Sequence, residues 1–82
     1  MDYVKLTEKL IKALVVDQDG VSVKEFPSDD PKKIEIQVLV NNDDMKRVIG
    51  REGKTINSVR TILAAASSLH DHKYININVE GF

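Results

Sequence analysis

The 82-residue sequence has no cysteine and no tryptophan, only two prolines and four glycines, and 5% aromatic residues. Without cysteine there is no disulfide framework, no thiolate nucleophile and no zinc knuckle. No apolar run approaches the ~20 residues of a membrane span. The N-terminal MDYVKLTEKL carries an acid at Asp2 and further charges every few residues, which excludes a signal peptide; a cytoplasmic location is the expectation. A chain this short hides roughly 60% of the surface its unfolded form exposes, enough for one modest core and too little for a deep substrate pocket or a lid. One domain over residues 1–82 is expected, and no enzyme: serine, histidine and aspartate are present, but nothing in their spacing arranges a triad. His70 and His72 alternate around Asp71, a pattern that fits a turn or strand edge better than a metal site, so neither metal nor cofactor is expected. Tyr74 and the two phenylalanines are too scattered for a stacking platform of the RNP or OB kind.

What is present is unevenly distributed. The net charge is −1, which argues against indiscriminate nucleic-acid binding over the whole surface. Yet between residues 46 and 60 the cations Lys46, Arg47, Arg51, Lys54 and Arg60 face Glu52 alone, a local charge of +4 that leaves −5 for the remainder. Most charge runs are solvated helix faces. This one coincides with a glycine loop, Gly50-Arg-Glu-Gly53, and concentrates the positive field there.

Tyr3, Leu6, Leu10, Ala13 and Leu14 recur at helical spacing, with Val4, Ile11 and Val15 widening the apolar face, so a helix is expected from an Asp2 cap to about Val15. Asp17 to Gly20 ends it. Residues 21–26, VSVKEF, read as a strand whose alternation slips between Val23 and Phe26, as at a bulge. PSDDP is a turn, and residues 33–40 alternate cleanly: Ile34, Ile36, Val38 and Val40 against Lys33, Glu35, Gln37 and Leu39. The short connection makes these strands an antiparallel hairpin. Asn41 or Asn42 caps a short helix with Asp43 and Asp44 in its first turn and Met45, Val48 and Ile49 as its buried stripe; Gly50 stops it. A longer helix follows from about Lys54 to Leu69, with Ile56, Val59, Ile62, Leu63, Ala66 and Leu69 apolar, and then a strand in which Ile75, Ile77 and Val79 face in. The fold class is α+β, order α-β-β-α-α-β. Three helices cover one face of a three-stranded mixed sheet whose second and third strands are parallel, joined by a two-helix crossover.

The loop reads VIGREGKTI, and its Gly-Lys-Thr invites comparison with a nucleotide-binding P-loop. A Walker loop requires glycine five residues before Gly53, where this chain has Val48, and it follows a strand rather than a helix turn. The free-nucleotide reading fails. What remains is helix–Gly-x-x-Gly–helix, with Val48-Ile49 before the first glycine and Ile56 after the second. In this arrangement the whole chain resembles the KH domains in their bacterial type II order, and VIGREGKTI with the following NSVRTI resembles the small single-domain KH proteins of the KhpA (YlqC) group.

The resemblance implies binding of single-stranded RNA without chemistry. Glycines lacking Cβ let a phosphodiester backbone approach, the N–H groups and dipole of the following helix favour an anion, and a KH loop clamps about four nucleotides. Arg51 and Lys54 add charge there, Lys46, Arg47 and Arg60 reach neighbouring phosphates, and Glu52 weakens binding somewhat. By resemblance, Val48, Ile49 and Ile56 floor the groove that takes the bases. The plainer alternative is that these three serve the core and Gly50 merely caps a helix. The group further implies an RNA chaperone or post-transcriptional regulator, linked with cell elongation and division. It is often dimeric and often paired with a larger KH-containing protein (KhpB, also called Jag or EloR). Ile62, Ala64 and Ala65 add apolar area beside the stripe of Ile56, Val59, Leu63 and Ala66. Either the first helix covers it or a twofold contact does, centred on Ile62 with Ala65 and Ala66. A rival function is a protein-interaction module that keeps the fold with little RNA binding.

Overall fold

The structure, a computed structural model, describes residues 2–82. Asp2 caps the first helix, α1 (Tyr3–Lys12), by accepting the Lys5 N–H at 3.1 Å. The helix stops at Lys12, short of the expected Val15, because two N–H groups beyond it are bound elsewhere. The Asp44 carboxylate accepts from Val16 N at 3.1 Å and from Asp17 N at 3.0 Å, pulling the chain out of helical geometry. Asp17 then caps a single 3₁₀ turn, Gln18–Gly20. The buried line of α1 is Tyr3, Thr7 and Ile11, with Leu6, Leu10 and Leu14 packed beside it and Ala13 exposed. The face is thus rotated from the one expected, around a threonine. Its hydroxyl donates to the Tyr3 carbonyl at 2.7 Å, so burial leaves no unpaired donor.

Two antiparallel strands follow, β1 (Ser22–Phe26) and β2 (Lys33–Val40). Their register is continuous from Ser22↔Leu39 to Phe26↔Glu35. The expected bulge is therefore absent: period-two pleating carries Phe26 to the open face with Ser22 and Lys24, and it stays 46% exposed. β2 alternates as its sequence does, with Ile34, Ile36, Val38 and Val40 buried. It is the central strand, flanked on its other side by β3 (Tyr74–Gly81) in parallel register, Ile36 beside Ile77.

Between β2 and β3 the chain makes α2 (Met45–Ile49) and α3 (Lys54–His70). Asn41 caps a 3₁₀ turn, Asn42–Asp44, that leads into α2. Asp44 is not a solvated first-turn acid but a buried one, 2% exposed. Ile56, Val59, Leu63 and Ser67 form the inner line of α3, whereas Leu69 is 80% exposed and Ile62 47%. The inward side chains of the sheet and the inner lines of all three helices make one core on one face of the sheet. The Tyr3 hydroxyl donates to the Asp71 carboxylate, tying the first turn of α1 to the turn that leads into β3. That bond raises the tyrosine pKa and lowers the aspartate's.

Candidate nucleic-acid interface

The loop between α2 and α3 is shaped by three left-handed residues, Gly50 (φ 77°), Glu52 (φ 58°) and Gly53 (φ 75°). Gly50 ends α2 with its N–H on the Lys46 carbonyl at 2.9 Å, and its own carbonyl accepts from Gly53 N at 3.2 Å. The two glycines differ in what surrounds them. A Cβ on Gly50 would stand 2.2 Å from Thr55 Oγ1, inside a hard contact. A Cβ on Gly53 would meet only the Asn57 amide, at 3.8 Å. Gly50 is required by the packing of the loop on α3. Gly53 faces open space at the start of that helix, where backbone N–H groups and the helix dipole favour an anion. Arg51, Glu52 and Lys54 are all exposed around it.

The other cations are less alike than their spacing implied. Lys46 is exposed on the outer face of α2. Arg47 is held by one acid and one main-chain group: its Nη1 donates to the Asp44 carboxylate at 3.1 Å and to the Asp43 backbone carbonyl at 2.9 Å. The Asp44 carboxyl sits below the ordinary range, chiefly because Val16 and Asp17 N–H groups bond its ionised form, with the Arg47 charge adding to them. Much of the Arg47 charge is thereby neutralised within the fold. Arg60 lies across the groove from α3 to β3, donating to Asn57 Oδ1 at 3.0 Å and to the Ile77 carbonyl at 3.3 Å.

Val48 and Ile56 are core residues with almost no exposed surface, and Ile49 is half-buried. The groove that the structure forms beside α3 has different walls. Arg60, Thr61, Ala64 and Ser68 line its helix side, and Ile75 to Asn78 of β3 line the other. Of these positions sequence reasoning named Arg60 alone as a contact; the others had two signals, small residues four apart on α3 and a strand at the edge of the sheet. On another face of α3, Ile62, Ala65 and Leu69 are exposed and Ala66 half-buried, so α1 does not cover this stripe. His70 and His72 are exposed near the C-terminal end of α3, and no group of three potential metal ligands gathers among the described residues. Among the same residues no helix is long and apolar enough to cross a membrane.

The family model described as "KhpA/KhpB, KH domain" matches residues 4–79, from α1 into β3. A protein named RNA-binding protein KhpA from Thermotoga maritima is 37% identical over 75 residues, covering 92% of this chain and 95% of that protein. A protein of the same name from Halalkalibacterium halodurans is 38% identical over 63 residues, 77% of this chain and 80% of its own. Another, from Streptococcus pneumoniae serotype 4, is 30% identical over 71 residues, 87% and 85% respectively.

Proposed function

The chain belongs to the KhpA/KhpB KH-domain family, and we propose that, like the relatives named as RNA-binding proteins, it binds RNA. It holds a single strand by its backbone at the Gly50–Gly53 loop and catalyses nothing. The observation that carries this reading is the open side of Gly53. At the N-terminus of a 17-residue helix, a left-handed glycine with free space in place of a Cβ stands among exposed Arg51, Lys54 and Lys46. An approaching phosphate meets partial positive charge from the helix and the full charges of Arg51 and Lys54, with the Glu52 carboxylate opposing them. Recognition is shallow and mostly of the backbone, so one copy binds weakly and with little base preference. The whole chain forms a single KH domain, cytoplasmic, acting as an RNA chaperone or post-transcriptional regulator tied to cell elongation and division. It works as a homodimer through Ile62 and its neighbours, or with a larger KH-containing partner.

An anisotropy titration with a short unstructured RNA, beside a single-stranded DNA of the same sequence, tests the core of this reading. The variant with Arg51→Asp and Glu52→Asp removes one cation and adds one carboxylate beside the one that residue 52 already carries. Aspartate tolerates the left-handed geometry at residue 52, and both positions are exposed, so the melting curve should not move. The lost attraction and the new repulsion at residue 51 each amount to about 1 kcal/mol, and RNA affinity should fall by about tenfold or more. Unchanged affinity with an unchanged melting curve removes the clamp; a wild type that binds neither oligonucleotide leaves the protein-interaction module in its place.

A further inference from the structure

The clamp occupies one end of α3, and a groove beside that helix runs from Arg60 to its other end. α3 and β3 lie antiparallel along it, since Arg60 bonds the Ile77 carbonyl while Ser67 bonds both the N–H and the carbonyl of Lys73. The helix rises roughly 24 Å from Lys54 to His70 at 1.5 Å per residue. The far end of the groove is lined by His72, Lys73 and Tyr74. Tyr74 is the most exposed aromatic residue of the chain, 67% accessible, and opens a strand with its N–H fixed on the Lys32 carbonyl at 2.7 Å. Lys73 is exposed, and its backbone is fixed on the buried Ser67 hydroxyl. His72 takes a left-handed backbone (φ 55°) to turn the chain into β3. On its other side Lys73 borders Asp2, Glu25 and Asp71, and its charge adds to the Tyr3 hydrogen bond in holding the Asp71 carboxyl below the ordinary range. An aromatic face for a base and a cation for a phosphate thus stand on a backbone fixed by hydrogen bonds, in the groove that also holds Arg60.

We propose that Tyr74 and Lys73 form a second station for the same RNA strand, at the end of the groove remote from the glycine loop. A base stacks on the Tyr74 ring and the adjoining phosphate lies at Lys73. The inference rests on the RNA-binding reading above and adds to it a length requirement. Strands that fill only the four-nucleotide loop site do not reach Tyr74; strands about twice that length do. The occupant is a nucleic-acid strand rather than a peptide because the groove offers Arg60 and Lys73 as its charged groups, both cationic, with no carboxylate among its lining residues.

The test compares a uridine tetramer with a uridine octamer on the wild type and on Tyr74→Ala, by anisotropy and by tyrosine fluorescence. An octamer has five registers on a four-nucleotide site, which raises its affinity by statistics alone, so the difference between proteins is what counts. The tetramer should bind both proteins equally. The octamer should bind Tyr74→Ala about fivefold or more weakly than wild type, the range of one lost base–aromatic stack, and Tyr74→Phe should restore it. Octamer binding should also quench the wild-type tyrosine emission, which tetramer binding leaves unchanged; the other tyrosine, Tyr3, is buried. Equal octamer affinity for wild type and Tyr74→Ala overturns the second station while leaving the clamp intact. No binding of either oligonucleotide by the wild type overturns the RNA-binding reading itself and the station with it.

Discussion

Gly50 and Gly53 share a motif and a backbone sign but not a burden. At Gly50 an alanine meets Thr55 Oγ1 at 2.2 Å as well as a left-handed φ, whereas at Gly53 it meets the φ alone. The left-handed penalty is roughly 1 kcal/mol for either. Gly50→Ala should therefore lose distinctly more than that and lower Tm by more than ten degrees, whereas Gly53→Ala should lower it by about five. If the strand lies against Gly53, its alanine variant loses RNA affinity out of proportion to its small loss of stability. Thermal melts beside titrations separate the two, and equal melting losses would contradict the packing described for Gly50. Asp44 is the second residue with a measurable signature. Its folded pKa lies below the ordinary 3.8 because the ionised form accepts the Val16 and Asp17 N–H groups. That contribution is present above the unfolded value and is lost as pH falls through the folded one. Asp44→Asn should be less stable than wild type at pH 7, and the gap should close as pH drops below about 3.8. A gap that stays constant from pH 7 to pH 2 would deny the carboxylate its role. Neither feature could be read from the chain: a glycine in a motif does not reveal which atoms crowd it, and an aspartate beside a helix start reads as a dipole partner until its distant donors are known.

At the scale of elements, legibility followed burial on one face. β2 was readable residue by residue because it is central and one of its faces is fully covered. The inner line of α3 at Ile56, Val59 and Leu63 was readable too, while its fourth member, Ser67, was not. A polar residue is buried there because the Lys73 backbone needs a partner at the turn, a reason that lies six residues ahead. Thr7 hid the true face of α1 in the same way. In β1 the departure ran in the opposite direction, since the slip in alternation between Val23 and Phe26 reads as a bulge where the register is continuous. The continuous pairing of Phe26 with Glu35 predicts that Phe26→Ala costs about 1 kcal/mol or less by chemical denaturation. A cost of about 3–5 kcal/mol, usual for a buried phenylalanine, would place the ring in the core and restore the bulge.

For the whole molecule the question is where charge and apolar surface remain unspent. Counting cations from Lys46 to Arg60 left out Asp44, two residues upstream of Lys46, whose carboxylate holds Arg47. The free positive field is therefore narrower than the sequence window implied, centred on Lys46, Arg51 and Lys54 with Arg60 in the groove. A field that small gives one copy little affinity, and this bears on the exposed stripe of Ile62, Ala65 and Leu69. Alanine beside two large aliphatic side chains lets a second helix approach closely, and a patch on one helix that meets itself about a twofold axis gives a closed dimer. Two loops on such a dimer engage one long RNA together, and the second contact becomes intramolecular. Ile62→Asp should accordingly yield a folded monomer, because the side chain is 47% exposed and outside the inner line of α3. Its affinity for a short oligonucleotide should match that of the wild type, and its affinity for a long unstructured RNA should be lower by about tenfold or more. Sedimentation across the micromolar range measures the first consequence and paired titrations the second. A wild-type protein that remains monomeric at high micromolar concentration ends the twofold contact; a dimer undisturbed by Ile62→Asp moves it to another surface.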